Sequence, residues 1–119
     1  MKTIINKAFF GKDNCLKLNL NDKKELYIHI GKKINEWEWN KAKLTDLEVA
    51  QIIVLCESEN GSTSFYHDYN GQKTQIWLNK SKDYLNVKIK DKAKSLKTPE
   101  IIIMNQLLKH SIVRMNLEI

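Results

Sequence analysis

Arginine is nearly missing from this chain: Arg114 stands alone beside nineteen lysines. Bidentate reading of base edges in a duplex groove leans on the arginine fork, with Asn and Gln beside it. A basic surface without that fork attracts a phosphate backbone rather than reading a sequence. Proline is also single, Pro99, and no repeat or low-complexity tract interrupts the 119 residues. No linker is visible, so residues 1–119 read as one domain with one core. The glycines form no phosphate cradle, because "NGSTS" (60–64) is a turn sequence. The two cysteines, Cys15 and Cys56, match no zinc spacing and are expected as buried free thiols. His29 and His67 have no helical partner, and His110 falls on the polar side of the last helical stretch. "YHD" (66–68) offers a His-Asp couple with no nucleophile motif to serve, and Cys56 lies in an apolar helix. No catalytic residue, cofactor or metal is therefore assigned, and the chain is not read as an enzyme.

No apolar run approaches the ~20 residues of a membrane span. The opening "MKTIINKAFFGK" has neither a signal h-region nor an Arg-rich transit character. An intracellular protein, cytoplasmic or nucleoid-associated and not secreted, is the expectation.

What the chain does have is charge and alternation. The net charge is +6 with a pI near 9.3, while a hydrophobic content of 42% keeps it among globular domains. "NCLKLNL" (14–20) and "ELYIHIG" (25–31) alternate around the turn signal "NDKK" and read as a hairpin. "KLTDLEVAQIIVLCE" (43–57) is helical, with Thr45 and Glu48 as a capping box and Leu44 and Val49 at staple spacing. "STSFYHD" (62–68) and "TQIWLNK" (74–80) flank an Asn-Gly turn. "YLNVKIK" follows as a further strand. "KTPEIIIMNQLLKHSIVRM" opens a long helix with Thr98 as N-cap and Pro99 at its first turn. Its apolar stripe (Ile101, Met104, Leu108, Ile112, Met115, widened by Ile103 and Leu107) is broader than one sheet face needs. A further strand near Thr3–Phe9 completes an α+β fold of antiparallel sheet braced by a mid-chain helix and a long C-terminal helix.

In a strand the side chains alternate between faces, so burying one row exposes the other. The outward rows collect Lys17, Tyr27, His29, Trp77, Asn79, Tyr84, Asn86, Lys88 and Lys90. Large rings mixed with lysines and free of carboxylates suit single-stranded nucleic acid, with bases stacking on rings and phosphates meeting ammonium groups. Lys73 and Lys80, in and beside the turns, join the phosphate contacts. Two other readings stand beside this one. An RNA-binding or transcription-modulating protein would use the same surface, and a protein-interaction module would use the rings as a seam and the lysines for solubility.

"EWEWNKAKLTDLEVAQIIVLCESENGSTSFYHD" resembles the middle of the Whirly single-stranded DNA-binding domain. There a Trp (here Trp39) precedes an apolar helix, followed by a polar turn and an aromatic pair before His-Asp (here Phe65, Tyr66, His67 and Asp68). The likeness runs in order from about residue 37 to 115. Of the family's Lys-Gly-Lys-Ala-Ala element the chain keeps Gly11 and Lys12 only. The resemblance implies two four-stranded antiparallel sheets packed roughly perpendicular, with helices bracing them. It also implies single strands running across sheet edges and between subunits, held largely without sequence preference. A single-stranded DNA-binding protein acting in replication, recombination or repair is the first expectation. Tyr66 joins the candidate site, and a homodimer or homotetramer is expected.

Overall fold

The structure, a computed structural model, describes residues 2–117. Four strands come first: β1 (Thr3–Phe10), β2 (Asn14–Asn21), β3 (Leu26–Lys33) and β4 (Trp37–Leu44). Helix α1 (Asp46–Cys56) leads to β5 (Gly61–Tyr69), β6 (Gln72–Ser81), β7 (Tyr84–Ile89) and β8 (Lys92–Lys97), and α2 (Thr98–Asn116) closes the chain. The strands form two antiparallel meanders, β1-β2-β3-β4 and β5-β6-β7-β8. The α+β class read from the residue pattern and the two four-stranded sheets implied by the resemblance are both found.

Alternation decides which side of each sheet is dry. Leu16, Leu18 and Leu20 of β2 and Leu26, Ile28 and Ile30 of β3 are all buried, as are Ile76 and Leu78 of β6 and Leu85, Val87 and Ile89 of β7. Each such side chain contributes about 1.5–3 kcal/mol by leaving water. The two dry faces meet where β2, β3 and β4 pack on β7 and β8, while α1 covers β5 and β6 and α2 covers β7 and β8. Asparagines tie the sheets together at one end. Asn14 Nδ2 donates to the Ala93 carbonyl (3.1 Å), and Asn40 Nδ2 donates to the Ile89 carbonyl (2.9 Å) and to Asp91 Oδ1 (2.8 Å). The Asn40 bond, ahead of one from Lys92, holds the Asp91 carboxyl below its ordinary pKa.

The helix signals read from the sequence are met in their chemistry. Thr45 Oγ1 accepts from the Glu48 amide at 3.2 Å, and Glu48 Oε1 accepts from the Thr45 amide at 2.9 Å. Leu44 and Val49 are both buried across that first turn. Helix α2 begins one residue earlier than expected: Lys97 is the N-cap, and its amide donates to Glu100 Oε1 at 3.0 Å. The Asn-Gly turn has both central residues in the left-handed region, Asn70 at φ 53° and Gly71 at φ 80°. A two-residue hairpin loop whose twist matches the strands requires that.

Two strands lay outside the sequence reading, β4 and β8. In β4 the bulky apolar residues change sides: Trp37 and Trp39 face out, while Ala42 and Leu44 face in. In β8 the inward row is Lys92, Lys94 and Leu96, so lysines stand where apolar residues mark a strand. Their stems are buried and their amines reach the rim, Lys94 Nζ donating to the Ser95 carbonyl at 2.8 Å. Lys80 is a correction of the same kind. It shares the inward row of Ile76 and Leu78, is 6% exposed, and donates to the carbonyls of Ser58 (3.1 Å), just beyond α1, and Ser81 (2.9 Å), at the end of β6. Its ammonium satisfies backbone acceptors and does not face outward. Lys90 also leaves the strand: it sits in the β7–β8 turn at φ 56°.

Candidate nucleic-acid interface

The outward rows separate into two surfaces. On the first sheet the register places Ala8, Lys17, His29 and Lys41 in one row, with Asn6, Asn19, Tyr27 and Lys43 on one side of it. On the other side, Phe10, Cys15, Gly31 and Trp39 are in line. The rings form a continuous set. Trp37 stacks on Trp39 at 5.4 Å between centroids, Phe10 meets Trp37 edge-on at 6.0 Å, and His29 meets Trp39 edge-on at 6.4 Å. Lys17 Nζ lies 4.4 Å from the centre of Trp39, and Lys41 Nζ lies 5.7 Å from that of Tyr27. No strand residue on this face is a carboxylate. Asn6, Lys17, Asn19, His29 and Trp39 line a shallow depression at its centre.

Gly31 explains how Trp39 lies so close to the sheet. A Cβ built on Gly31 would meet indole ring atoms at 2.6 Å, so the ring rests on bare backbone. Cys15, in the same row, is fully buried, and burial raises its thiol pKa. Cys56 in α1 is pushed up by burial to about 11, so both free thiols are protonated and unreactive at neutral pH. Burial lowers the His29 pKa, with Lys41 and then Lys17 adding to the effect. A neutral imidazole therefore stands between two ammonium groups.

On the second sheet the outward rows are Ser64, Trp77, Lys88 and Ala93; Ser62, Asn79, Asn86 and Ser95; and Ser81, Tyr84 and Lys97. Small polar residues form a flat middle, with Ser95 Oγ donating to Asn86 Oδ1. Trp77 and Tyr84 stand on either side of it, 39% and 47% exposed, and Lys88 Nζ is 5.4 Å from the centre of Trp77. Tyr66 extends this face along the edge strand β5, beside Gln75. Asp68 is the one carboxylate on these rows, at the corner, opposite Lys73.

The ten candidate residues thus do not share one surface. Lys17, Tyr27 and His29 lie on the first face; Tyr66, Lys73, Trp77, Tyr84 and Lys88 lie on the second. Lys90 is in a turn and Lys80 is inside. Phe10, Trp37, Trp39 and Lys41 were absent from the candidates, although "WEWNKAK" carries the signal. Once read as a strand, it places both indoles and two lysines on one parity. The couple at "YHD" turns out to join elements: His67 Nε2 is 2.7 Å from Glu48 Oε2, which ties β5 to the first turn of α1. Among the described residues no group of His, Cys, Asp and Glu is placed to hold a metal ion.

No family model matches the chain, and no curated protein matches it in sequence. Its structure does have a solved counterpart. It superposes on the crystal structure of WHY1 from Arabidopsis thaliana with a TM-score of 0.72, over 93% of this chain and 90% of that one, at 9% sequence identity. The fold is of the Whirly type.

Replacing Gly31 by Ala is expected to dislodge the Trp39 indole. Overpacking of this kind costs about 1–3 kcal/mol. A red shift in tryptophan emission together with a lower melting temperature checks it. An unchanged spectrum at unchanged stability would mean that the indole is not seated on Gly31.

Proposed function

We propose that the chain is a single-stranded DNA-binding protein, largely indifferent to sequence, acting in replication, recombination or repair. The observation that carries this reading is the pairing of lysine ammonium groups with rings on carboxylate-poor sheet faces: Lys17 over the exposed Trp39, Lys41 over the half-buried Tyr27 and Lys88 over the exposed Trp77. A lysine over an exposed ring gains about 0.5–1 kcal/mol, whereas a base stacked on it gains about 1–3 kcal/mol. An incoming base therefore displaces the ammonium, which swings aside to a phosphate. A duplex offers its phosphates but keeps its π faces stacked, so only an unpaired strand collects both terms. The Whirly-type fold of the chain supports the same reading.

Charge and stacking separate experimentally. Lys88→Ala should weaken binding evenly across sequences and make the salt dependence shallower by about 0.7 or less in log–log slope. Trp77→Ala should cost on the order of 1–3 kcal/mol and leave that slope nearly unchanged. Oligonucleotide titrations at several salt concentrations measure both. If no binding step is weakened in folded Trp77→Ala, the indole serves structure and the reading of β6 as a contact strand fails.

Self-association into a homodimer or homotetramer belongs to the same proposal. Helix α2 buries Ile101, Met104 and Leu108 but leaves Ile102, Ile103 and Val113 exposed, and water is a poor neighbour for three such side chains on one helix. Light scattering should give a mass above that of one chain, lowered by Ile103→Glu. A monomeric unmodified protein would contradict it.

A further inference from the structure

The two outer faces lie back to back. Each sheet buries its inward row against the other sheet or the helices, so the outward rows point away from each other. Each face is complete in the groups a single strand needs. The first has Trp39, Tyr27 and His29 with Lys17 and Lys41; the second has Trp77 and Tyr84 with Lys88 and Lys97. Neither borrows a ring or a lysine from the other.

We propose that one protomer holds two single-stranded nucleic-acid segments at once, one on each outer sheet face. This rests on the reading of these faces as single-strand platforms. Four strands at about 4.8 Å spacing make a platform roughly 15 Å wide. The body between the faces is itself thick, the molecule measuring 41 × 34 × 26 Å. A short segment lying on one face cannot reach the other without rounding a sheet edge.

Charge favours a polyanion as the occupant of both. The strand rows of the first face carry lysines and no carboxylate, and the second face carries one carboxylate, Asp68, at a corner beside Lys73. A second copy of this chain, itself at +6, would bring like charge to either face. The consequence is an activity beyond coating a strand. The protein brings together two unpaired segments, from one molecule or from two, and holds them on opposite sides of a single domain.

Stoichiometry tests this. The probe is an oligothymidylate of roughly eight nucleotides, within the span that one small binding domain occupies. Native mass spectrometry at low salt then counts the oligonucleotides bound per protomer. The expected count is two. Lys41 and Lys88 are both exposed, so Lys41→Glu and Lys88→Glu should leave the fold intact, as circular dichroism checks. Each reversal alone should lower the count to one, and the two together should abolish binding. A count of one in the unmodified protein overturns the two-face proposal and leaves the single-strand function standing. A count of zero overturns both. A count of two that neither reversal changes also overturns the proposal, because the strands would then sit elsewhere.

Discussion

Burial of one side-chain row from each sheet is the constraint on which the rest of this molecule depends. Leu16, Leu18, Ile28 and Ile30 on one sheet and Ile76, Leu78, Leu85, Val87 and Ile89 on the other are between 0% and 1% exposed. A slip of one residue in any strand would send this row to water and bring rings and lysines inside. Register is therefore held by the core, and the composition of the outward rows is free to vary. That freedom is what the chain uses. Its outward rows carry aromatic rings and lysines at positions that folding alone would fill with Thr, Ser or Glu.

The lysines divide by environment, not by number. Lys80 donates to carbonyls inside the fold, and Lys92 and Lys94 bury their stems in β8. Lys43 is paired with Glu25 at 2.9 Å, and Lys109 with Glu57 at 2.7 Å. Exposed pairs of that kind contribute little to stability, but they do withdraw two charges from any field that could attract an anion. Lys17, Lys41 and Lys88 are different: each ammonium faces a ring. A net charge of +6 is thus a poor guide to binding, and the position of three or four lysines on a strand parity is a better one.

How much of this was legible in the sequence follows from particular strands. β2, β3, β6 and β7 alternate cleanly, so their inward rows and the candidates Lys17, Tyr27, His29, Trp77, Tyr84 and Lys88 could be placed on outward rows. β4 hid because its large apolar residues lie on the outward side at Trp37 and Trp39 and on the inward side at Ala42 and Leu44. β8 hid because Lys92 and Lys94 occupy inward positions. Lys80 was misplaced since a lysine at the end of a strand suggests solvent, and nothing local reveals carbonyls waiting for a donor. That the rings fall on two faces is a matter of topology. Alternation says which residues share a side of a strand, and only the pairing of strands into two sheets says which strands share a face.

On the proposed function these faces prefer unpaired strands, because stacking on Trp39, Trp77 and Tyr84 requires bases whose faces are free. A titration of one oligonucleotide sequence, as a single strand and as a duplex of equal length, at two salt concentrations, tests it most directly. Clearly tighter binding of the single strand is expected at both salts, with affinity falling as salt rises. Equal affinity for the duplex, or no binding to either, would contradict it.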